Sequence, residues 1–329
     1  MSGATGGTTD FARVFGGKPT ADNATFINNG GLTGGAVGGV TQFYGAATAA
    51  NATLIANSGV ANGGDGGTIQ FLNRSADDTC RVEVFGNGSL DIGAHAAPGI
   101  TIGSIEGDGL VFLRSNNLTV GSNNLNTTFA GLIQGPGSVT KIGNGTLTLR
   151  GANRYGGTTV SQGALVLENT IGSATGPGPV TVNAGTLGGS GIITGAVTIG
   201  TGSGTGAFLA PAAGTNVPAA LTIQSALTFR ADATYTCTFR KNRNGTRIDQ
   251  LIADGVTINS AAMIALSGHT NTALRQGLVL TVISDTSAGP ISGTFGNLPD
   301  GGIVTIDGNN LQASYSGGDG NDLTLTVVP

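Results

Sequence analysis

Short stretches of alternating apolar and polar residues recur along the chain, as in Ala24-Thr25-Phe26-Ile27, Gly67-Thr68-Ile69-Gln70-Phe71 and Gly145-Thr146-Leu147-Thr148-Leu149. A period of two puts successive side chains on opposite faces of a strand. Gly and Asn gather at the breaks, where tight turns need positive φ. Helical repeats would instead carry a 3.6-residue period and few glycines. The pattern therefore predicts many short strands joined by turns.

Near the N-terminus the strands repeat at a fixed offset. The segment Phe15-Gly16-Gly17-Lys18-Pro19-Thr20-Ala21-Asp22-Asn23-Ala24-Thr25-Phe26-Ile27 aligns with Phe43 to Ile55, 28 positions later. Phe71 continues the series, with Gln70 matching Gln42. One further step on, only the pattern survives, with Arg81-Val82-Glu83-Val84 where Thr53-Leu54-Ile55-Ala56 would fall. A unit this short cannot bury its own core, so each unit must cover the next. Stacked one-unit coils of short strands form a β-helix. Inward side chains would then form ladders of like on like, with Phe15, Phe43 and Phe71 in one. Asn23 and Asn51 stand in equivalent positions and form either an amide ladder or plain turns.

From Thr128 the repeat changes style. Gly137-Ser138-Val139-Thr140-Lys141-Ile142-Gly143-Asn144-Gly145-Thr146-Leu147-Thr148-Leu149 runs into Gly151-Ala152-Asn153-Arg154-Tyr155-Gly156-Gly157-Thr158-Thr159-Val160 and Gly163-Ala164-Leu165. This stretch resembles the autotransporter-associated β-strand repeat of bacterial passenger proteins, with Arg150 in place of the usual small polar residue. Asp249 to Ile258, Ile291 to Phe295, Leu298 to Gly301 and Ser314 to Leu325 resemble the end module of such passengers. The resemblance implies a right-handed parallel β-helix, exported and displayed on or shed from a bacterial surface. The expected organisation is all-β: a parallel β-helix (solenoid) with 28-residue coils over 1–127, coils of the autotransporter-associated type over 128–224, and a β-rich capping module over 225–329. Such a cap is needed because an open β-helix end exposes unpaired strand edges. The chain begins in mid-repeat. Either it continues in a longer protein, or its end docks another copy.

Composition changes the picture in one respect. Gly supplies 60 of 329 residues and charged residues only 10%, against about 25% in ordinary soluble domains. The surface must therefore be built from Thr, Ser and Asn rather than from Lys and Glu. The mean hydropathy of +0.17 and net charge of −4 exclude the disordered class, which couples low hydropathy to high charge. The same net charge argues against a nucleic-acid partner. Cys80 and Cys237 lie far apart and read as buried thiols rather than a disulfide framework or a zinc site. No apolar run reaches the length of a transmembrane helix. Met1-Ser2-Gly3-Ala4 lacks the basic and apolar regions of a signal peptide, and reads as the start of a piece of a longer precursor.

Chemistry-bearing residues are sparse. Glycoside hydrolysis needs two carboxylates across one bond, yet Glu83, Glu106 and Glu168 fall singly and Asp77-Asp78 reads as a solvated turn. His95 and His269 have no triad partners in sequence. The chain is thus expected to be a non-enzymatic scaffold or adhesin-like passenger without cofactors. Its expected partners are host or cell-surface glycans or proteins, and copies of itself through the β-helix ends. A carbohydrate-active enzyme on the same fold and a self-assembling fibre subunit remain the alternatives. Two spots could bind. Gly317-Gly318-Asp319-Gly320-Asn321-Asp322 begins like a calcium-binding nonapeptide, with Asp319 and Asp322 as ligands, or is a plain turn into the last strand. Arg240, Lys241, Arg243 and Arg247 hold four of the 14 basic residues. They flank the hairpin signal Asn244-Gly245, and form either a solvated loop tip or a contact for acidic glycans or phosphate.

Overall fold

The computed structural model describes residues 11–14, 18–60, 63–75, 79–204, 206–213, 217–242, 245–270 and 273–329. Among them the regular structure is all β-strand, and no helix is long and apolar enough to cross a membrane. The chain divides into two compact units, residues 1–159 with 173–177, and residues 160–172 with 178–329. The changes of repeat style at 127 and 224 fall inside these units, because a change in turn style does not interrupt strand stacking.

The first unit is a parallel β-helix. One face stacks Phe11–Val14, Val40–Phe43, Thr68–Phe71, Ser89–Asp91, Leu110–Phe112 and Leu132–Lys141 in parallel. A second face stacks Thr25–Asn28, Thr53–Ala56, Arg81–Val84, Ser104–Gly107, Thr127–Phe129 and Thr146–Leu149. From Gly99 a third face appears, with Gly99–Ile102 and Asn117–Val120 leading to the end of Leu132–Lys141. The 28-residue register holds where the sequence repeats, with Thr53 opposite Arg81 and Val40 opposite Thr68. It then shortens, and Ser89 bonds Thr68 across 21 residues. Alternation fills the inside: Ile69, Leu90, Val111 and Ile133 lie in register and are buried.

The glycine content has a steric cause. Gly88, Gly109, Gly131 and Gly151 sit one above another where a strand is entered or left. A Cβ on any of the last three would fall inside contact distance of the carbonyl oxygen of the glycine on the preceding coil. Those carbonyls carry the stack, since Leu110 and Leu132 donate their N–H to Gly88 and Gly109 at 2.9 and 3.0 Å. Only a residue without a side chain lets the coils approach this closely.

The second unit repeats the plan with three parallel faces. They are Val180–Val182, Val197–Ile199, Leu227–Phe229 and Val256–Ile258; then Ala164–Leu167, Gly185–Gly189, Ala207–Ala210, Ala233–Asn242 and Met263–Thr270; then Ile192–Ile193, Ala220–Ile223, Gln250–Ala253 and Val279–Asp285. Parallel coiling thus continues well past residue 224. It ends where Val279–Asp285 accepts Asp322–Val328 in antiparallel fashion on its free side. Asn309–Gly317 and Ile303–Ile306 extend that antiparallel meander. The edge of Val279–Asp285 where a further parallel coil would pair is thereby occupied.

Candidate functional site

The strongest constellation lies on the outer side of the first face. Alternation turns Val111 inward and leaves Phe112 half-buried on the outside. The register places Asp91 and Gln134 beside it on the coils before and after. Beyond Phe112 the chain turns sharply. Arg114 adopts φ 48°, a left-handed backbone that side chains disfavour. Buried Asn116 holds the turn by donating its amide to Ile92 O at 2.8 Å and His95 O at 3.0 Å. Gly93 makes room, because a Cβ there would strike the Arg114 side chain.

The result is a groove of about 740 Å³ lined by Asp91, Phe112, Arg114, Ser115, Gln134 and Pro136. Asp91 Oδ1 accepts the Gly93 N–H at 2.7 Å. Among the described residues Arg114, Ser115 and Gln134 make no side-chain hydrogen bond or ion pair. An apolar ring ringed by uncommitted donors and acceptors suits a ligand with one apolar face and many hydroxyls. Sequence reasoning missed this groove, because Asp91, Phe112 and Gln134 become neighbours only once the coil lengths are known.

The predicted positions fare differently. Phe43 and Phe71 stack inside, with centroids 5.0 Å apart and planes at 14°. Phe15 lies outside the described residues, and the register places Val14 opposite Phe43. Asn23 and Asn51 do not form an amide ladder. They follow the left-handed turn residues Asp22 and Ala50; Asn23 is exposed, and the Asn51 oxygen accepts from Thr79 on the next coil. Amides do join coils elsewhere, from Asn57 to Asn29 at 2.8 Å and from Gln42 to Gln70 at 2.6 Å.

The glycine-rich turn closes a hairpin, with Gly317 opposite Asp322. Burial raises the Asp322 pKa, and the nearby charges of Asp319 and Asp285 add to this. Its Oδ1 accepts the Asp285 N–H at 3.1 Å. Asp319 is exposed at the tip. Among the described residues no group of three His, Cys, Asp or Glu side chains is placed to hold a metal ion.

Arg240 and Arg247 face each other across the antiparallel pair of Ala233–Asn242 and Gly245–Ile248. Lys241, on the other side of its strand, donates to Ala273 O at 2.7 Å. Arg243, Asp77 and Asp78 lie outside the described residues.

Two glutamates need a correction. Glu83 and Glu106 do not stand singly in turns: both lie on strands and are in register on adjacent coils. Arg81 spans them, bonding Glu106 through Nε at 2.6 Å and Nη2 at 3.0 Å, and reaching Glu83 at 3.1 Å. The His95 ring nitrogens lie 2.7 and 2.8 Å from the Ala96 and Ser75 carbonyl oxygens. Cys80 and Cys237 are buried and form no disulfide among the described residues.

Lys141 is the unexpected charge. It sits in the inward row after Val120, 1% exposed, and its ammonium donates to Ile142 O at 2.6 Å and Gly143 O at 2.9 Å. Loss of solvent lowers its pKa from 10.5 to about 8. Between these values the unfolded chain holds the proton that the folded chain releases. Lys141 therefore adds stability as pH rises from about 8 toward 10.5, against the opposite trend from the Cys237 thiol, which burial pushes up. Denaturant midpoints compared across this range check it: relative to the wild type, Lys141→Met should lose stability as pH rises.

This lysine belongs to the segment that comparison with known proteins picks out. The passenger-associated-transport-repeat family matches residues 139–167. That segment is similar to a repeat of autotransporter passengers. Over 94 residues the chain is 45% identical to "Adhesin BmaC autotransporter" of Brucella suis biovar 1 (strain 1330), a match covering 26% of the chain and 3% of that protein. The chain therefore spans a small fraction of the curated relative's length. Among solved structures it is similar to the Haemophilus influenzae Hap adhesin, with 10% identity and a TM-score of 0.33, over 94% of this chain and 43% of that one.

Proposed function

We propose that the passenger is a non-enzymatic, adhesin-like segment, secreted or held at the cell surface, that binds saccharides on the outside of its coils. The observation that carries the reading is the Phe112 groove, where uncommitted Arg114, Ser115 and Gln134 side chains surround a half-exposed ring. A sugar presents an apolar C–H face to such a ring and hydroxyls to the polar side chains. Short polar outer positions such as Thr101, Thr119 and Thr140, aligned on three successive coils, extend the hydroxyl-bearing outer surface. The name of the Brucella relative, an adhesin, supports the same direction.

On a glycan array, the purified chain is expected to retain a subset of oligosaccharides. Phe112→Ala should weaken that binding about tenfold, the loss of about 1.4 kcal/mol of ring contact. Gln134→Ala should weaken it less. Array binding unchanged by Phe112→Ala would remove the groove from the reading.

The enzymatic alternative has one observation in its favour, the aligned Glu83 and Glu106. A glycosidase pair works by keeping one carboxyl protonated. Here Arg81 is bonded to both, an arrangement that suits a structural ion triad.

A further inference from the structure

We propose that the outer face formed by Ala233–Asn242, Gly245–Ile248 and Met263–Thr270 binds an acidic polysaccharide, with its anionic group held between Arg240 and Arg247. This deepens the adhesive reading and rests on it. Arg240 lies directly opposite Arg247 on one side and His269 on the other, so three basic side chains form one row across three strands. All three are exposed. Like charges directly opposed on a sheet destabilise it. Neither guanidinium has an ion pair or side-chain hydrogen bond among the described residues, and the chain as a whole is acidic, with net charge −4. A row kept in this state offers two planar forks to a sulfate or carboxylate. Asp307, close enough to interact with His269, is engaged by Thr270 through N at 2.6 Å and Oγ1 at 2.7 Å.

The surface leading away from the row favours a polysaccharide over a bilayer. Outward positions on the central strand are Thr238, Thr236 and Thr234, and Thr238 Oγ1 lies 3.2 Å from Ser267 Oγ on the next strand. From Arg240 to the end of this hydroxyl track at Thr234 is about 20 Å at about 3.3 Å per residue. It ends where exposed Phe208 and Met263 flank Thr234 in register. Among the described residues no apolar wedge sits beside the arginines to enter a lipid layer. A linear chain of sugars fits the track, with its charge at the basic end.

The test uses the full chain over surfaces carrying dextran sulfate, unsulfated dextran or phosphatidylglycerol vesicles. Dextran sulfate is expected to bind and dextran not. Arg240→Ser/Arg247→Ser should weaken binding about tenfold or more, as two charge-assisted contacts are lost. Arg74→Ser/Arg154→Ser, which removes the same charge elsewhere, should leave it unchanged. Equal loss in both double variants, or vesicle binding that matches dextran sulfate and needs Arg240 and Arg247, would overturn the proposal. Array binding through Phe112 is read separately, so the site can fail while the adhesive reading stands. A chain that fails on both surfaces counts against that reading itself.

Discussion

Asn153→Ala is expected to destabilise the coils it joins by about 2–6 kcal/mol, because it orphans two buried backbone groups at about 1–3 kcal/mol each. Asn153 is 4% exposed. Its Oδ1 accepts the Ile133 N–H at 2.8 Å and its Nδ2 donates to Ala174 O at 2.6 Å. One amide thus ties a strand on one side to the 173–177 loop on the other. Ile133 is itself 1% exposed, so no solvent stands ready to replace the bond. Amide exchange at Ile133 is the sharpest readout, and its protection should fall with the denaturation midpoint. Asn153→Asp separates the two bonds, since it still accepts from Ile133 but cannot donate to Ala174 when ionised. Unchanged protection at Ile133 in Asn153→Ala would mean that the amide only fills space.

Phe295→Ala should cost about 3–5 kcal/mol, the usual range for deleting a buried ring. Phe295 is fully buried, 5.3 Å from Phe229 at an edge-on 68° and 6.3 Å from Tyr235. Its backbone is fixed as well: Phe295 N donates to Tyr315 Oη at 3.0 Å, and that hydroxyl donates to Leu298 O at 2.8 Å. The ring therefore joins the last coils to the closing meander within the second unit. In a stacked solenoid each coil depends chiefly on its neighbours. Protection should accordingly be lost around residues 229–298 and kept in the coils near residues 40–90, as hydrogen exchange followed by mass spectrometry would show. Uniform loss would mean a single cooperative unit instead.

The parallel stack can be read from the sequence because alternation and a 28-residue repeat are both local signals. They place Thr53 against Arg81 and Phe43 against Phe71, as the registers do. The joining asparagines are not readable in this way. Recurrence marks Asn23 and Asn51 as equivalent positions, but equivalence does not say which way a side chain points from a left-handed turn. The amides that bridge coils through buried sites, Asn116, Asn153 and Asn169, stand in turns of differing length and recur at no constant spacing. The Phe112 groove was hidden for a related reason. Its residues come from three coils after the repeat has shortened, and the partner of Phe112 depends on coil lengths that composition does not encode. Glu83 and Glu106 look solitary for the same cause. The basic run was visible, whereas its opposition to His269 required the parallel register of Ala233–Asn242 with Met263–Thr270.

The chain is expected to bind saccharide without turning it over. The decisive measurement incubates the purified chain with an oligosaccharide that it retains on the array, then recovers the sugar for mass spectrometry. The prediction is saturable binding, weakened by Phe112→Ala, with the oligosaccharide recovered intact. Shortened or unsaturated products that disappear in Glu106→Gln would contradict it and identify an enzyme at the Glu83–Glu106 pair.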